Sequence, residues 1–495
     1  MRATRRIHPD WALKQKRPGT ELRYIRGIYY LYGVTSKWNK EKKRAQKVTG
    51  KILGKVTENG FIESTRRQIL DGKSNVENAT EPTIKSISTK SAGLGYFLEP
   101  LLFDVLAALK KHFGCHAEDI YCASLMRLTY QTPLKNMNLH LRENFLSESF
   151  PQVSLTDKRV SSLLRSVGLD RERINSFFRE FSRAGENILM DMTAIHSKSE
   201  QMSINQRGYN AQGSFDPQAN LLLLFSQSRR EPIYYRVLPG NIRDVKSVQL
   251  TLKEMETPDT VFVADKGFYS EANIEELEQA HLQYVIPLKR NSSLIDYEPL
   301  KKGGKSGFSH FFKFQDRFIF CSSKQLSNDR ALYTFLDDHL RLEEERAFLN
   351  RMETQKEEKL TIVNFHERTH MLGTFSIITN LKEKTPQDVY KMYKARMEIE
   401  TAFDAFKNTL EADRSYMHSD QSFEGWMFIN YIALLAYWRM LKVLLEKELF
   451  SKFSINDLIM HLSYIRKVRI NGSWHLAEIT DKTRRLLAKL ECHIT

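Results

Sequence analysis

The sequence predicts a mixed α/β protein: a sheet covered by helices, preceded by a basic strand-rich region and a helical domain, and interrupted by a second set of strands. Three observations carry this. Strand-length apolar runs alternate with helical segments between residues 187 and 288, four consecutive segments between 93 and 184 keep a helical period, and positive charge is concentrated at the front of the chain.

In chain order, residues 1–75 form the basic strand-rich region. From Glu21 to about Val56, runs rich in Tyr, Ile and Val are separated by Gly27, Gly33 and Gly50, as strands are by turns. Residues 1–60 hold sixteen Lys or Arg against four acids, which is +12 of the formal +15. Clustered cations release counterions when they meet phosphates, so this region points to an anionic polymer. Tyr24, Tyr29, Tyr30, Tyr32 and Trp38 interleave with the charges, either to brace nucleic acid or as one face of a small sheet with a solvated basic edge. Residues 73–92 are polar and are expected to be a linker. Residues 93–184 form the helical domain, with PLLFDVLAALKKHFG, AEDIYCASLMRLTY, DKRVSSLLRSVG and DRERINSFFREFSRAG in succession. A turn centred on Gly168 separates the last two, which fits a helix-turn-helix reader and equally an ordinary helical pair.

At residue 187 the texture changes. NILMDMTAI, NLLLLFS (220–226) and PIYYRVLP (232–239) are strands, RDVKSVQLTLKEM is a helix, TVFVAD (260–265) a short strand, EANIEELEQA a helix and QYVIPL (283–288) a strand. Residues 185–288 therefore give the first part of the sheet domain. Residues 289–378 are expected to be a separate strand-rich insertion, with GFSHFFKF, FIFCS, LTIVNF and FSIITN as strands around one helix. Residues 379–440 supply the second part of the sheet domain, with a helix from Thr385-Pro386 to about Glu411. Residues 441–495 contain helices and a hairpin, YIRKVRINGSWHLAEI.

Composition excludes several classes. Hydrophobic residues are 41% and charged residues 27%, so the chain is neither disordered nor fibrous. Cys115, Cys122, Cys321 and Cys492 are too few and scattered for a disulfide scaffold or a zinc knuckle, and fit a reducing cytoplasm. The amino-terminal MRATRRIHPDWALKQKRP lacks the apolar core of a secretory signal. The stretch GWMFINYIALLAYWRM, broken by Asn430 and closed by Arg439, falls short of the ~20 residues of a bilayer span, so a core helix and no membrane partner are expected.

Three acids stand out. Asp191 sits inside an apolar strand, where burying a carboxylate costs several kcal/mol unless compensated. Asp265 ends VFVAD before Lys266-Gly267, where a strand of an open sheet delivers it to the ligand crevice or where it simply caps a turn. Two acids on neighbouring strands suit Mg²⁺ or Mn²⁺. A third is sought on YKARMEIETAFDAFKNTLE. At 100° per residue, Tyr393, Arg396, Glu400, Asp404 and Lys407 lie within about 40° of one direction, while Ile399, Phe403, Phe406 and Leu410 form an adjoining apolar stripe. Glu398 points roughly 160° away from Glu400. The bland alternative is a surface helix with i,i+4 ion pairs such as Arg396 with Glu400.

With these residues in place, the chain resembles insertion-sequence transposases of the DDE type, in the bacterial and archaeal group marked by Y-x2-R-x3-E-x6-K, matched by Tyr393, Arg396, Glu400 and Lys407. Asp191-Met192-Thr193 matches the group's first D-x-T. GYNAQGSFDPQANLLL follows as its glycine-led segment, with Asn210-Ala211 where Ser-Lys is usual. Pro239, Gly240, Asn241 and Asp244 match its P-G-N-x2-D turn, Ala264 to Phe268 its second acid, and Thr379-Asn380 the pair before the third.

The resemblance implies a ribonuclease H-like mixed-sheet catalytic domain interrupted by the strand-rich insertion. It implies Asp191, Asp265 and Glu400 as ligands of two Mg²⁺ ions (Mn²⁺ substituting), Arg396, Lys407 and Tyr393 as phosphate-handling residues, and Asp244 as a supporting acid at a helix start. Its partners would be double-stranded DNA, as terminal inverted repeats and target, and a second copy in a synaptic homodimer. The basic front and residues 441–495 would contact DNA ends or the second copy, in the cytoplasm at the nucleoid. A nuclease that cuts without joining, or a non-catalytic DNA-binding relative, would keep much of the same pattern.

Overall fold

The computed structural model describes residues 8–39, 43–63, 86–131, 133–183, 185–209, 215–241, 250–251, 254, 261–326, 329–354 and 361–494. The chain divides into two compact units, Met1–Ile84 and Lys85–Thr495.

In the first unit, β1 (Thr20–Ile25), β2 (Ile28–Asn39), β3 (Arg44–Thr57) and β4 (Gly60–Glu63) make an antiparallel sheet in the order β1-β2-β3-β4. Arg26 and Gly27 turn β1 into β2 with φ of 49° and 87°, the left-handed pair that a two-residue hairpin needs. Leu22, Leu31, Tyr29 and Val56 bury one face against Ala12 of the short helix Asp10–Leu13.

The second unit is built on an eleven-stranded mixed sheet. Its centre is β6 (Asn187–Ser197), antiparallel to β8 (Phe215–Ser226) on one side and parallel to β10 (Val261–Val263) on the other. Beyond β8 lie β7 (Gln206–Tyr209) and β9 (Glu231–Pro239); beyond β10 comes the parallel β11 (Gln283–Pro287). The sheet then continues through β15 (Thr374–Thr379), β14 (Ala331–Asp337), β13 (Arg317–Gln325) and β12 (His310–Phe314), all antiparallel. The two-residue β16 (Arg414–Ser415) pairs with the end of β6. This is the mixed α/β, ribonuclease H-like core that the sequence predicts.

Several details differ from the sequence reading. The strands of 289–378 form no sheet of their own, because β15 bonds to both β11 and β14 and carries the central sheet outward. LTIVNF is not a strand: Thr361 caps a helix, Ile362–Arg368, by accepting the Asn364 amide, and Phe365 packs at a tilt against Phe348. Residues 87–91, read as linker, form β5, which pairs with β17 (Arg466–Ile470) and through it β18 (Ser473–Leu476). Most of RDVKSVQLTLKEM lies outside the described residues.

The helices of 93–184 share one continuous core with the sheet. We label α1 (Ala117–Tyr130), α2 (Asp157–Leu169), α3 (Arg171–Arg179), α4 (Pro386–Lys394), α5 (Met397–Asp404) and α6 (Asp420–Glu446). α6 is long and apolar enough to cross a membrane, yet 72% of its most apolar window is buried inside the protein. Gly168 does not make the expected turn. It lies within α2, where an added Cβ would stand 1.9 Å from the carbonyl oxygen of Gln421, and Gly425 in α6 is as close to Leu164, at 2.0 Å. The turn falls at Asp170, whose carboxylate accepts the Arg173 amide to cap α3. Ile174, Phe177 and Phe178 then bury α3 in the core.

The α2–α6 crossing makes Gly425→Ala an overpacking substitution, expected to destabilise the chain by about 1–3 kcal/mol. Gly95→Ala, where the nearest atom would be 3.4 Å away, should change stability much less. Urea denaturation of the two variants checks this, and an unchanged midpoint for Gly425→Ala contradicts the close crossing.

Candidate active site

Asp191 stands near the middle of β6, opposite Leu223 of β8. Leu189 and Met190 before it are buried, and the Met192 amide donates to its Oδ1 at 2.8 Å. Asp265 is placed by β10, whose three residues are all buried and whose pairing with β6 sets Val263 against Leu189. Two more residues along that register bring Asp265 level with Asp191. There the strand ends, and the tight turn Lys266–Phe268 begins.

The helix expected from Thr385 to Glu411 is three pieces. Thr385 and Asp388 close a reciprocal capping box at the start of α4. The ladder tightens at the junction with α5, where the Ile399 amide donates to the Arg396 carbonyl at 3.0 Å. After α5 the residues Ala405–Thr409 form a π-helical turn, and the Leu410 amide reaches back to Ala405 at 3.0 Å. Ile399, Phe403, Phe406 and Leu410 are buried, as the apolar stripe requires. The π-turn rotates Lys407 off the line that an uninterrupted α-helix would give it. Lys407 is half-buried, with no ion pair among the described residues.

The three acids meet at Arg396, which is only 9% exposed. Its Nη2 donates to Asp191 Oδ2 at 2.6 Å and its Nη1 to Glu400 Oε1 at 2.8 Å. Asp265 Oδ1 lies 3.7 Å from the same Nη1. Burial pulls the guanidinium down, but Asp191, Asp265 and Glu400, with Tyr393 beyond them, outweigh it and hold Arg396 above its ordinary value. Burial pushes Asp191 up; Arg396 and the Met192 amide offset part of this, while Asp265 and Glu400 add to the rise. Burial likewise raises Tyr393, whose ring leans on Phe375 with centroids 5.9 Å apart.

Asp191, Asp265, Glu400, Arg396 and Tyr393 therefore come together, and Lys407 stands apart in the π-turn. Three carboxylates against one guanidinium leave the cluster net negative. The Asp265 and Glu400 side chains remain 43% and 56% exposed, so their outer oxygens face solvent. Glu398 points away and pairs with Arg230 at 3.0 Å.

Other motif residues have structural duties. Asn380 accepts the Tyr284 amide and donates to the Leu282 carbonyl, both at 2.9 Å, and Thr379 donates to the Tyr284 carbonyl, so this pair clamps β11. Asn220 donates to the Pro239 and Gly240 carbonyls and fixes the P-G-N turn. Asp244 and Asn210-Ala211 lie outside the described residues. The sequence reading missed the hub role of Arg396. Its i,i+4 spacing signalled the contact with Glu400 and carried nothing about the strand acids.

The cofactor expectation is corrected. Among the described residues no group of three or more His, Cys, Asp or Glu side chains could hold a metal ion, so two Mg²⁺ ions, or Mn²⁺ in their place, bound by Asp191, Asp265 and Glu400 are not supported. A hard cation needs the carboxylate oxygens turned toward one another around a shared centre. Here they are turned onto the guanidinium, which is itself their counter-ion.

A family model described as a transposase DDE domain matches residues 184–436, just over half of the chain. Comparison with curated proteins finds no match. Among solved structures, the chain is similar to a piggyBac transposase synaptic complex with hairpin DNA, at 11% identity over 75% of this chain and 79% of that one, with a TM-score of 0.38. It is also similar to a Mos1 transposase paired-end complex with the left transposon end, at 15% identity over 54% and 79%, with a TM-score of 0.15.

Removing the hub should cost more than removing one exposed spoke. Arg396→Gln leaves Asp191 buried without its counter-charge and is expected to destabilise the protein by about 3–5 kcal/mol. Glu400→Gln, more than half exposed, should cost under about 1 kcal/mol. Urea melts of both variants give the comparison, and equal small effects would mean that Arg396 is not the shared counter-ion.

Proposed function

The chain belongs to the transposase DDE-domain family, and from that premise we propose that it cuts DNA at the ends of an insertion element and joins those ends to a target. The observation that carries this reading is the meeting of Asp191, Asp265 and Glu400 on Arg396, within the matched residues. The retained spacing of Tyr393, Arg396, Glu400 and Lys407 favours, within the family, the insertion-sequence group with Y-x2-R-x3-E-x6-K.

The chemistry is two phosphoryl transfers. In the first, a water oxygen bonds to phosphorus, the bond to the leaving 3′ oxygen breaks, and a free 3′-hydroxyl results. In the second, that hydroxyl attacks a target phosphodiester, so one P–O bond forms as another breaks and no energy-rich cofactor is consumed. The exposed oxygens of Asp265 and Glu400 face the substrate. Asp191 holds Arg396 in place, and Arg396 keeps the three like charges together. Lys407, which has no ion pair among the described residues, is suited to grip a flanking phosphate as a point charge. Tyr393 stands beside Arg396 and the acids. Joining two ends needs two such sites, so a dimer on DNA is expected. The four free thiols suit action in a reducing cytoplasm, at the nucleoid.

The test is excision in cells of a marker flanked by the inverted repeats found around the gene. Asp191→Asn, Asp265→Asn and Glu400→Gln should each lower excision ~100-fold or more, and Lys407→Ala ~10-fold or more. Glu398→Gln should leave it near the parental level. Parental excision by Asp265→Asn would overturn the reading, and a loss confined to Glu398→Gln would show that the opposite helix face carries the chemistry.

A further inference from the structure

The geometry points to a second nucleic-acid site: the half of the β2–β3 hairpin that extends beyond β1 and β4 is a DNA-reading arm that lies in the major groove of double-stranded DNA. The register isolates this arm. β1 covers β2 only as far as Gly33, and β4 covers β3 only from Gly54 onward. Between those limits the backbones of Thr35–Asn39 and Arg44–Val48 pair only with each other among the described strands, as a two-stranded ribbon with almost every residue exposed, and Lys47 Nζ reaches back to Glu21 of β1 at 3.2 Å.

Alternation sorts the ribbon into two faces. The pairs Thr35–Val48, Lys37–Gln46 and Asn39–Arg44 set Lys37, Arg44, Asn39 and Gln46 on one face. Asn39 Nδ2 donates to Gln46 Oε1 at 3.0 Å, which aligns the two amides side by side. Arg and Lys match the O6 and N7 acceptors of guanine, and Asn and Gln match the donor–acceptor edge of adenine, so this face carries the side-chain types that read base edges. The other face presents Ser36, Lys47 and Trp38, the last 63% exposed.

Charge and size choose the occupant. The described residues of the arm contain Lys37, Lys43, Arg44 and Lys47 and no acid, and of these cations Lys47 is paired with Glu21 of β1. The ribbon's four residue steps span about 14 Å, close to four base-pair steps at ~3.4 Å each. Two strands ~4.8 Å apart with their side chains fit a groove ~12 Å wide and not one of ~6 Å. A hairpin whose lysines only protect a sheet edge has no need of paired amides beside two cations on one face. The choice of DNA as partner rests on the transposase reading, and the two are tested separately.

The full chain is titrated against duplex DNA of mixed sequence at several salt concentrations, with binding read by fluorescence anisotropy. Lys37→Ala/Arg44→Ala should weaken binding ~10-fold or more and reduce the log–log salt slope by about 2. Asn39→Ala/Gln46→Ala should reduce discrimination between sequences with little change in slope. Methylating guanine N7, which fills the major groove, should weaken parental binding. Unchanged affinity and slope for Lys37→Ala/Arg44→Ala, parental binding indifferent to N7 methylation, or equal arm-dependent binding to single strands would each overturn the proposal. If the arm variants bind as the parent while Asp265→Asn abolishes excision, the arm fails and the transposase reading stands. If Asp265→Asn excises normally while the arm variants lose binding, the reverse holds.

Discussion

Three carboxylates cannot share a small, partly dehydrated space without a cation among them, and in this protein that cation is the buried guanidinium of Arg396. The acids come from a central strand, from the end of its parallel neighbour and from a helix distant in sequence. Each contact therefore ties a separate segment to one point. The arrangement is asymmetric. Asp191 is mostly buried and anchors the guanidinium, whereas Asp265 and Glu400 keep their outer oxygens in solvent. Buried anchoring and exposure to solvent are thus divided between inner and outer acids.

The rest of the second unit holds that point steady. Beyond the π-turn, the buried Arg127 donates to the Leu410 carbonyl and to Asn430 of α6, and its guanidinium lies 4.5 Å from the Trp426 ring. Desolvation lowers Arg127 to about 10 from its ordinary value, so this fastening lies in a dry part of the core. It links the helix carrying Glu400 to the longest helix of the fold, which in turn meets α2 through Gly168 and Gly425. On the sheet side, Arg171 joins Glu424 of α6 to Tyr234 and the Tyr235 carbonyl in β9. The buried Arg127 and the half-buried Arg171 thus brace the frame in which Arg396 gathers the acids.

Much of this was legible in the sequence, because apolar periodicity is a local signal. The runs around Asp191 and before Asp265 located both strands, and the stripe Ile399, Phe403, Phe406 and Leu410 located the packed side of the third helix. What was not legible depends on contacts between distant segments. Gly168 reads as a turn residue, and only the carbonyl of Gln421 in another helix explains it. Ile362 and Val363 suggest a strand, yet one capping hydroxyl at Thr361 and exposure of both side chains favour a helix. The π-turn leaves no mark in the periodicity of its neighbours. The three acids could be named individually, but that they would close on Arg396 required the register of β10 on β6. That closure also replaced the expected metal centre by an ion-pair hub.

The central claim is that this hub marks the place where a DNA strand is cut. It is tested most directly by placing a photoreactive thymine analogue at the terminal nucleotide of an element end, irradiating the complex with the full chain, and mapping the crosslinked peptide by mass spectrometry. The account predicts adducts in the segments that bear Asp265 and Tyr393 to Lys407. Adducts found only in other segments, with none in these two, would contradict it.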